Sequence, residues 1–265
     1  MGRTRKTGNT KGTWAAGVAL AAVLALTGYA VLNGSDEEAD TPSKAGSGAS
    51  ASAAPGPSAT YAVPDDWTEP NAWAALPRGK RTDGRGSQVG FPHTTEGAVA
   101  AAAALNTVSI EGGRDTVDEQ LRIYHSYVSK ADQSDAHAEE IELAAIQTDK
   151  SLHQQMGVPV GEPLPGGAYM RSSVIGYKVV NAADDEVSVW LLARAAQKGG
   201  ETAKESVEYL RILNAVVWED GDWKLSGAAT QRAMDEAQKG EKPEIVAPGD
   251  AAFNSAGWTA VREAS

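Results

Sequence analysis

Val207–Gly227 reads VEYLRILNAVVWEDGDWKLSG, and its folding decides how the rest of the chain is arranged. Twelve residues rich in aliphatic and aromatic side chains, Val207–Trp218, end at Glu219-Asp220-Gly221-Asp222. An Asp-Gly pair between apolar runs is a strong hairpin signal, so a long strand turns back here into a short one, Trp223–Leu225. Upstream, SSVIGYKVVN places Ile175, Tyr177 and Val179 on one face, AADDE supplies a turn, and VSVWLLARAA alternates Val187, Val189 and Leu191. The polar excursion QKGGETAKES then leads into the opening run. Four strands joined by short turns predict an antiparallel meander.

Before the meander the periodicity is helical. The stretch Gly90–Asn106, GFPHTTEGAVAAAAALN, sets a Phe-Pro-His turn ahead of an alanine tract. Phe91 and Pro92 fix the approach, Thr94 or Thr95 caps the helix, and Glu96 suits its positive end. Gly97, Ala98 and Ala100–Ala104 remove side-chain bulk, so a second backbone, from the sheet or from another protomer, can come close. That packing role is preferred for the stretch over a catalytic His93. A second helix opens on the capping box Thr116-Val117-Asp118-Glu119, and a third runs from about Ser134 to a stop at Gly157, with Ile141, Ala145, Thr148, Leu152 and Met156 on one stripe. Helices segregated before an antiparallel sheet predict an α+β domain over residues 90–239: N-terminal helices packed on a curved, cone-like sheet.

The N-terminus reads differently. Residues 1–13 carry Arg3, Arg5, Lys6 and Lys11 and no acid, and Trp14–Leu32 is free of charge for nineteen residues. That length crosses a hydrocarbon core of about 30 Å. With Asp36, Glu37, Glu38 and Asp40 beyond it, the charge bias predicts one transmembrane helix over residues 14–33, a cytoplasmic tail over 1–13 and an extracytoplasmic remainder at the cell membrane. A cleaved signal peptide is the competing reading, from the small residues around Gly28-Tyr29-Ala30, but the apolar run exceeds the usual signal core and continues past them. Residues 34–60 hold Gly, Ser, Ala, Pro and acids with no large apolar side chain, which predicts a disordered tether. Residues 61–89, with Trp67, Trp73 and Leu76 among prolines, predict a strap laid on the domain; residues 240–265 predict a flexible tail whose Phe253 and Trp258 dock on the domain or on a neighbour. The chain contains no cysteine, which excludes disulfides, thiolate metal sites and a lipidated cysteine. Its net charge is -11, and about -15 falls on residues 14–265 once the +4 of the tail is subtracted. A phosphate backbone is therefore a poor partner except at the basic stretch RGKRTDGRG.

Helices followed by a curved meander whose last turn carries Gly221, Asp222, Trp223 and Leu225 resemble the nuclear-transport-factor-2-like, or cystatin-like, superfamily over about residues 90–228. With the anchor, the tether and the GFPHTTEG stretch, the whole is similar to single-pass envelope proteins of conjugation and type IV secretion-like systems of Gram-positive bacteria. The resemblance implies a scaffolding subunit that contacts itself and other channel subunits, with no cofactor and no catalytic residue. Phe91, Pro92, His93, Gly97, Ala101, Phe253 and Trp258 are then the candidate contact residues.

Enzymes of the same superfamily, isomerases and dehydratases, use the space between sheet and helices as a pocket, so the alternative is an isomerase-like or small-ligand site. Tyr124, His125 and Tyr127 on the second helix, assisted by Glu208 on a strand, are its candidates. His137 with Glu140 forms half of a carboxylate di-metal motif, and the sequence offers no second half, no HExxH, no Walker loop and no GxSxG. No metal site is expected.

Overall fold

The computed structural model describes residues 66–112 and 115–262. The predicted cytoplasmic tail, span and tether, and the first residues of the strap, lie outside the described residues. Within them no helix is long and apolar enough to cross a membrane.

The described chain is α+β, built on a mostly antiparallel sheet of seven strands. The meander occupies its centre: β5 (Ala168–Ala182), β6 (Glu186–Gly199), β7 (Ser206–Glu219) and β8 (Asp222–Leu225), each antiparallel to the next. On the other edge β5 pairs with β4 (Val108–Glu111) and with the C-terminal β9 (Thr259–Arg262), and β9 in turn holds β1 (Trp73–Ala75) in parallel. A separate two-stranded ribbon, β2 (Arg81–Thr82) and β3 (Gln88–Val89), holds the basic stretch, with Arg78 and Lys80 just before β2, Arg81 in it and Arg85 on the connecting loop.

The expected order of helices first and sheet second is corrected. Three short strands precede the first helix, α1 (Thr95–Leu105); β4 separates α1 from α2 (Thr116–Tyr127) and α3 (Asp135–Met156); and α4 (Gly227–Ala237) and α5 (Ala251–Ser255) follow the meander. The physical reason lies in β6. Val187, Val189 and Leu191 face the main core, yet Leu192 on the opposite face is also at 0% exposure, so both faces of the sheet must be covered. Helices α1 to α3 pack on one side. On the other, Ala229 and Ala233 of α4 meet Leu213 and Ala215, while Val246, Phe253 and Trp258 pack around Leu192 and Ala260. Of the stretch 240–265, expected as a flexible tail, the described residues 240–262 contribute a helix and a strand, because their apolar side chains are what seal the second face.

Local chemistry accounts for the elements. The Thr94 hydroxyl accepts from the Gly97 N–H at 3.1 Å and caps α1, whose Ala98–Ala103 are buried on every side between the sheet and α2. At its end Asn106 donates to the Ala102 carbonyl and, across the core, to Asn214 Oδ1 on β7 at 2.6 Å. The cap of α2 is Asp115 and not Thr116: its carboxylate accepts from the Asp118 N–H at 2.7 Å, and Glu119 is drawn into a buried pair with Arg122. Ser134 caps α3, and Gly157 closes it in the left-handed conformation at φ 70°. A β-bulge between Val174 and Gly176 turns Ile175 to the second face, away from Tyr177 and Val179 with which period-two reading grouped it. Gly176 makes room there for the Phe253 ring, 3.2 Å from where a Cβ would stand.

Candidate functional site

The two stretches that stand out in the sequence, the Phe-Pro-His turn and the Asp-Gly hairpin, pack against each other. Asp222, 2% exposed, receives the Phe91 N–H at 2.9 Å and the Trp223 N–H at 3.0 Å on Oδ1. Its Oδ2 lies 3.0 Å from the Lys224 ammonium, which also donates to the Ser126 carbonyl at 2.6 Å. The Trp223 indole donates to the Pro92 carbonyl at 2.8 Å, and the Thr94 N–H reaches the same oxygen at 2.9 Å. Gly97 is required at its position because a Cβ there would run into that carbonyl. Phe91 itself is buried in the main core.

This lock carries His93 to the surface. Its imidazole stacks on Trp218 at 4.0 Å between centroids and 10° between planes, with Trp223 at 5.5 Å. Nε2 lies 2.8 Å from the Asp184 carbonyl and 2.9 Å from Asp185 Oδ1. Both partners are acceptors, so Nε2 carries the proton. The β7–β8 turn adds Glu219, which accepts from the Lys130 N–H, and Asp220, paired with Lys130 Nζ at 2.6 Å; Lys130 pins Asp220's carboxyl below its ordinary range. The result is a half-exposed imidazole–indole stack rimmed by carboxylates at one end of the sheet. Its proton-bearing nitrogen is already engaged, and the arrangement presents a flat aromatic surface with acidic edges.

The other residues expected to act are placed differently. Ala101 is buried in the main core, and Phe253 and Trp258 belong to the second core, where the Trp258 indole donates to the Glu244 carbonyl at 2.8 Å. Tyr124 accepts the Ser134 N–H at 2.8 Å and is buried; the Tyr127 hydroxyl donates to the Gln88 carbonyl at 3.0 Å and ties α2 to the basic ribbon. Burial raises the pKa of both phenols. His125 is exposed, its pKa lowered by desolvation and then by nearby Arg85. Glu208, on β7 opposite Ala195, has its pKa raised by burial. Among the described residues no hydrogen bond or ion pair joins His125 to Glu208. The described residues contain no group of three metal-ligating side chains, and His137 Nδ1 faces the Asp132 carbonyl at 3.1 Å.

Sequence reasoning missed His153. It is 4% exposed in the last turn of α3, with Nδ1 2.8 Å from the Asp149 carbonyl and Nε2 3.0 Å from the Glu162 carbonyl. Two carbonyls facing two ring nitrogens select the doubly protonated ring. Burial opposes that charge, but the two carbonyls and the Asp149 carboxylate at 3.2 Å outweigh it and raise the pKa. The position of a histidine four residues after an aspartate at a helix end was the available signal.

A family profile described as Domain of unknown function (DUF8175) matches residues 33–241. The chain belongs to that family. The matched span takes in the turn, the meander and α4, and stops before α5 and β9. Comparison with curated proteins found no match, and comparison with solved structures found none.

Proposed function

We propose that this protein is a non-enzymatic assembly subunit of a cell-envelope conjugation or secretion complex, held at the membrane by residues 14–33 and acting through protein contacts of its extracytoplasmic domain. The observation that carries this reading is the His93–Trp218 stack with its rim of Asp184, Asp185, Glu219 and Asp220. An exposed aromatic platform ringed by acids suits an arginine or lysine side chain of a partner, by cation–π attraction above the rings and ion pairing at the edge. The charge asymmetry about Trp14–Leu32 and the resemblance to conjugation-system envelope proteins support the location and the class of partner. The hydroxyls of Tyr124 and Tyr127, the side chains an enzyme of this build would use, are spent on backbone carbonyls or amides.

The test is charge reversal at the rim. Asp185→Arg, at an exposed turn, is expected to leave the thermal unfolding midpoint within a few degrees and to lower assembly of the envelope complex on native gels by about tenfold or more, the effect of losing one contact of about 1.4 kcal/mol. Unchanged assembly overturns the reading. A turnover activity of the purified chain that is lost on His125→Ala would replace it with an enzyme.

A further inference from the structure

Trp67 is the most exposed large apolar side chain among the described residues, at 62%, although the strap around it is built to hold it still. Its indole N–H donates to Glu69 Oε2 at 3.0 Å, and the Trp73 indole takes Oε1 of the same carboxylate at 2.7 Å. The ring lies against Gly249, at φ 103°, where a Cβ would stand 2.5 Å from it. The Thr68 N–H donates to the Gly249 carbonyl at 2.7 Å. From α5, Asn254 fixes the same stretch by donating to the Glu69 carbonyl at 3.0 Å and accepting from the Asn71 N–H at 2.7 Å. Trp73 is partly buried against the second core, with the Arg262 guanidinium 4.9 Å from the centre of its ring. Packing of the strap therefore accounts for Trp73 and leaves Trp67 as a rigid indole turned outward.

We propose that Trp67 is an interfacial anchor that rests the domain on the lipid surface, with its ring at the level of the headgroups. This rests on the reading of residues 14–33 as the membrane anchor, and it is independent of the His93 platform. The occupant follows from where the chain leaves the domain. The described residues begin at 66, so Trp67 stands at the exit towards Trp14–Leu32, and the covalent connection makes a contact with the bilayer intramolecular. A protein interface needs a core of several apolar side chains. The other large apolar side chains exposed among the described residues, Leu143 and Val160, lie on α3 and in the loop after it, outside the strap. A connected indole needs no such area, because tryptophan seats itself at the membrane–water boundary with one end apolar and the other wet. Charge adds no attraction for anionic lipid, since Asp66 and Glu69 flank the ring and Arg262 offsets only one of them. The contact is therefore an apolar insertion that neutral lipid supports.

The test uses the full-length chain reconstituted in phosphatidylcholine vesicles, with a fluorescent label at Asp66→Cys and spin-labelled phosphatidylcholine as the quencher; the chain has no cysteine of its own to compete. The expected result is stronger quenching at position 66 than of the same label at Thr202→Cys in the exposed β6–β7 loop. Trp67→Tyr, which keeps an interfacial aromatic, retains that quenching, and Trp67→Ser loses it. Raising the salt to about 0.5 M leaves it unchanged, because insertion of a ring does not depend on screened charge. Each variant is read below its own unfolding midpoint, so that folded chains are compared. Flotation with the vesicles reports the anchor by itself. A chain that fails to float overturns the anchor and the contact together, whereas a floating chain quenched equally in wild type and Trp67→Ser, or no more at 66 than at 202, overturns the contact alone.

Discussion

Replacing Asp222 tests how the turn and the hairpin are held together. Its carboxylate satisfies two backbone N–H groups, those of Phe91 and Trp223, and neutralises Lys224, whose side chain is only 19% exposed. Asp222→Ala leaves two buried donors without an acceptor and a largely buried cation without its counter-charge. Removing one partner of a buried pair costs about 3–5 kcal/mol. For a domain of this size each kcal/mol lowers the midpoint by about 2–4 °C, so a fall of about 6–20 °C is expected in thermal unfolding followed by tryptophan fluorescence. Asp222→Asn keeps an oxygen for the two N–H groups and loses only the charge, and should cost about 1–3 kcal/mol. A midpoint for Asp222→Ala within about 2 °C of wild type would refute the assignment of Asp222 as the tie between residue 91 and the hairpin.

Three further outcomes follow from the packing. Ala101→Leu adds bulk on a face buried in the main core, so it should destabilise folding by about 1–3 kcal/mol in urea, and a folded variant with only its assembly lost would place that face against a partner instead. Phe253→Ala empties a fully buried site on the second face of the sheet, against Gly176 and Leu192, and should cost about 3–5 kcal/mol; an unchanged urea midpoint would mean the C-terminal segment is not part of the folding unit. His153 has a raised pKa in the folded chain, so its stabilisation is complete below the unfolded value of about 6.5 and is lost as pH rises through the folded value. Urea midpoints measured across that range should fall in the wild type and stay flat in His153→Gln, and parallel curves would contradict the charged ring.

How much of this was legible in the sequence depended on whether local chemistry or distant packing decided the outcome. The Asp220-Gly221 turn, the Ser134 and Gly157 ends of α3 and the Ile141–Leu152 stripe could be read because each is fixed within a few residues. The second covered face could not be read from the meander's alternation, because it is sealed by Phe253 and Trp258 some sixty residues after Leu192. A clue was present in VSVWLLARAA: Trp190-Leu191-Leu192 is a continuous apolar run, which belongs to a strand buried on both sides. Ile175 was misplaced for the same class of reason, since a bulge changes parity without leaving a composition signal. At the site, His93 was singled out, but Trp218 and Asp185 were not, because only the tertiary fold brings three separate turns to one stack.

The central claim, that the His93–Trp218 platform is where this protein meets another envelope subunit, is tested most directly by photocrosslinking in cells. A photoreactive residue at Asp184, exposed at the rim, should yield one dominant adduct with a membrane-embedded subunit of the same secretion or conjugation complex, and His93→Ala in the same chain should remove it. Finding no adduct at position 184 while the protein is present and folded, or an adduct unchanged by His93→Ala, would contradict the claim.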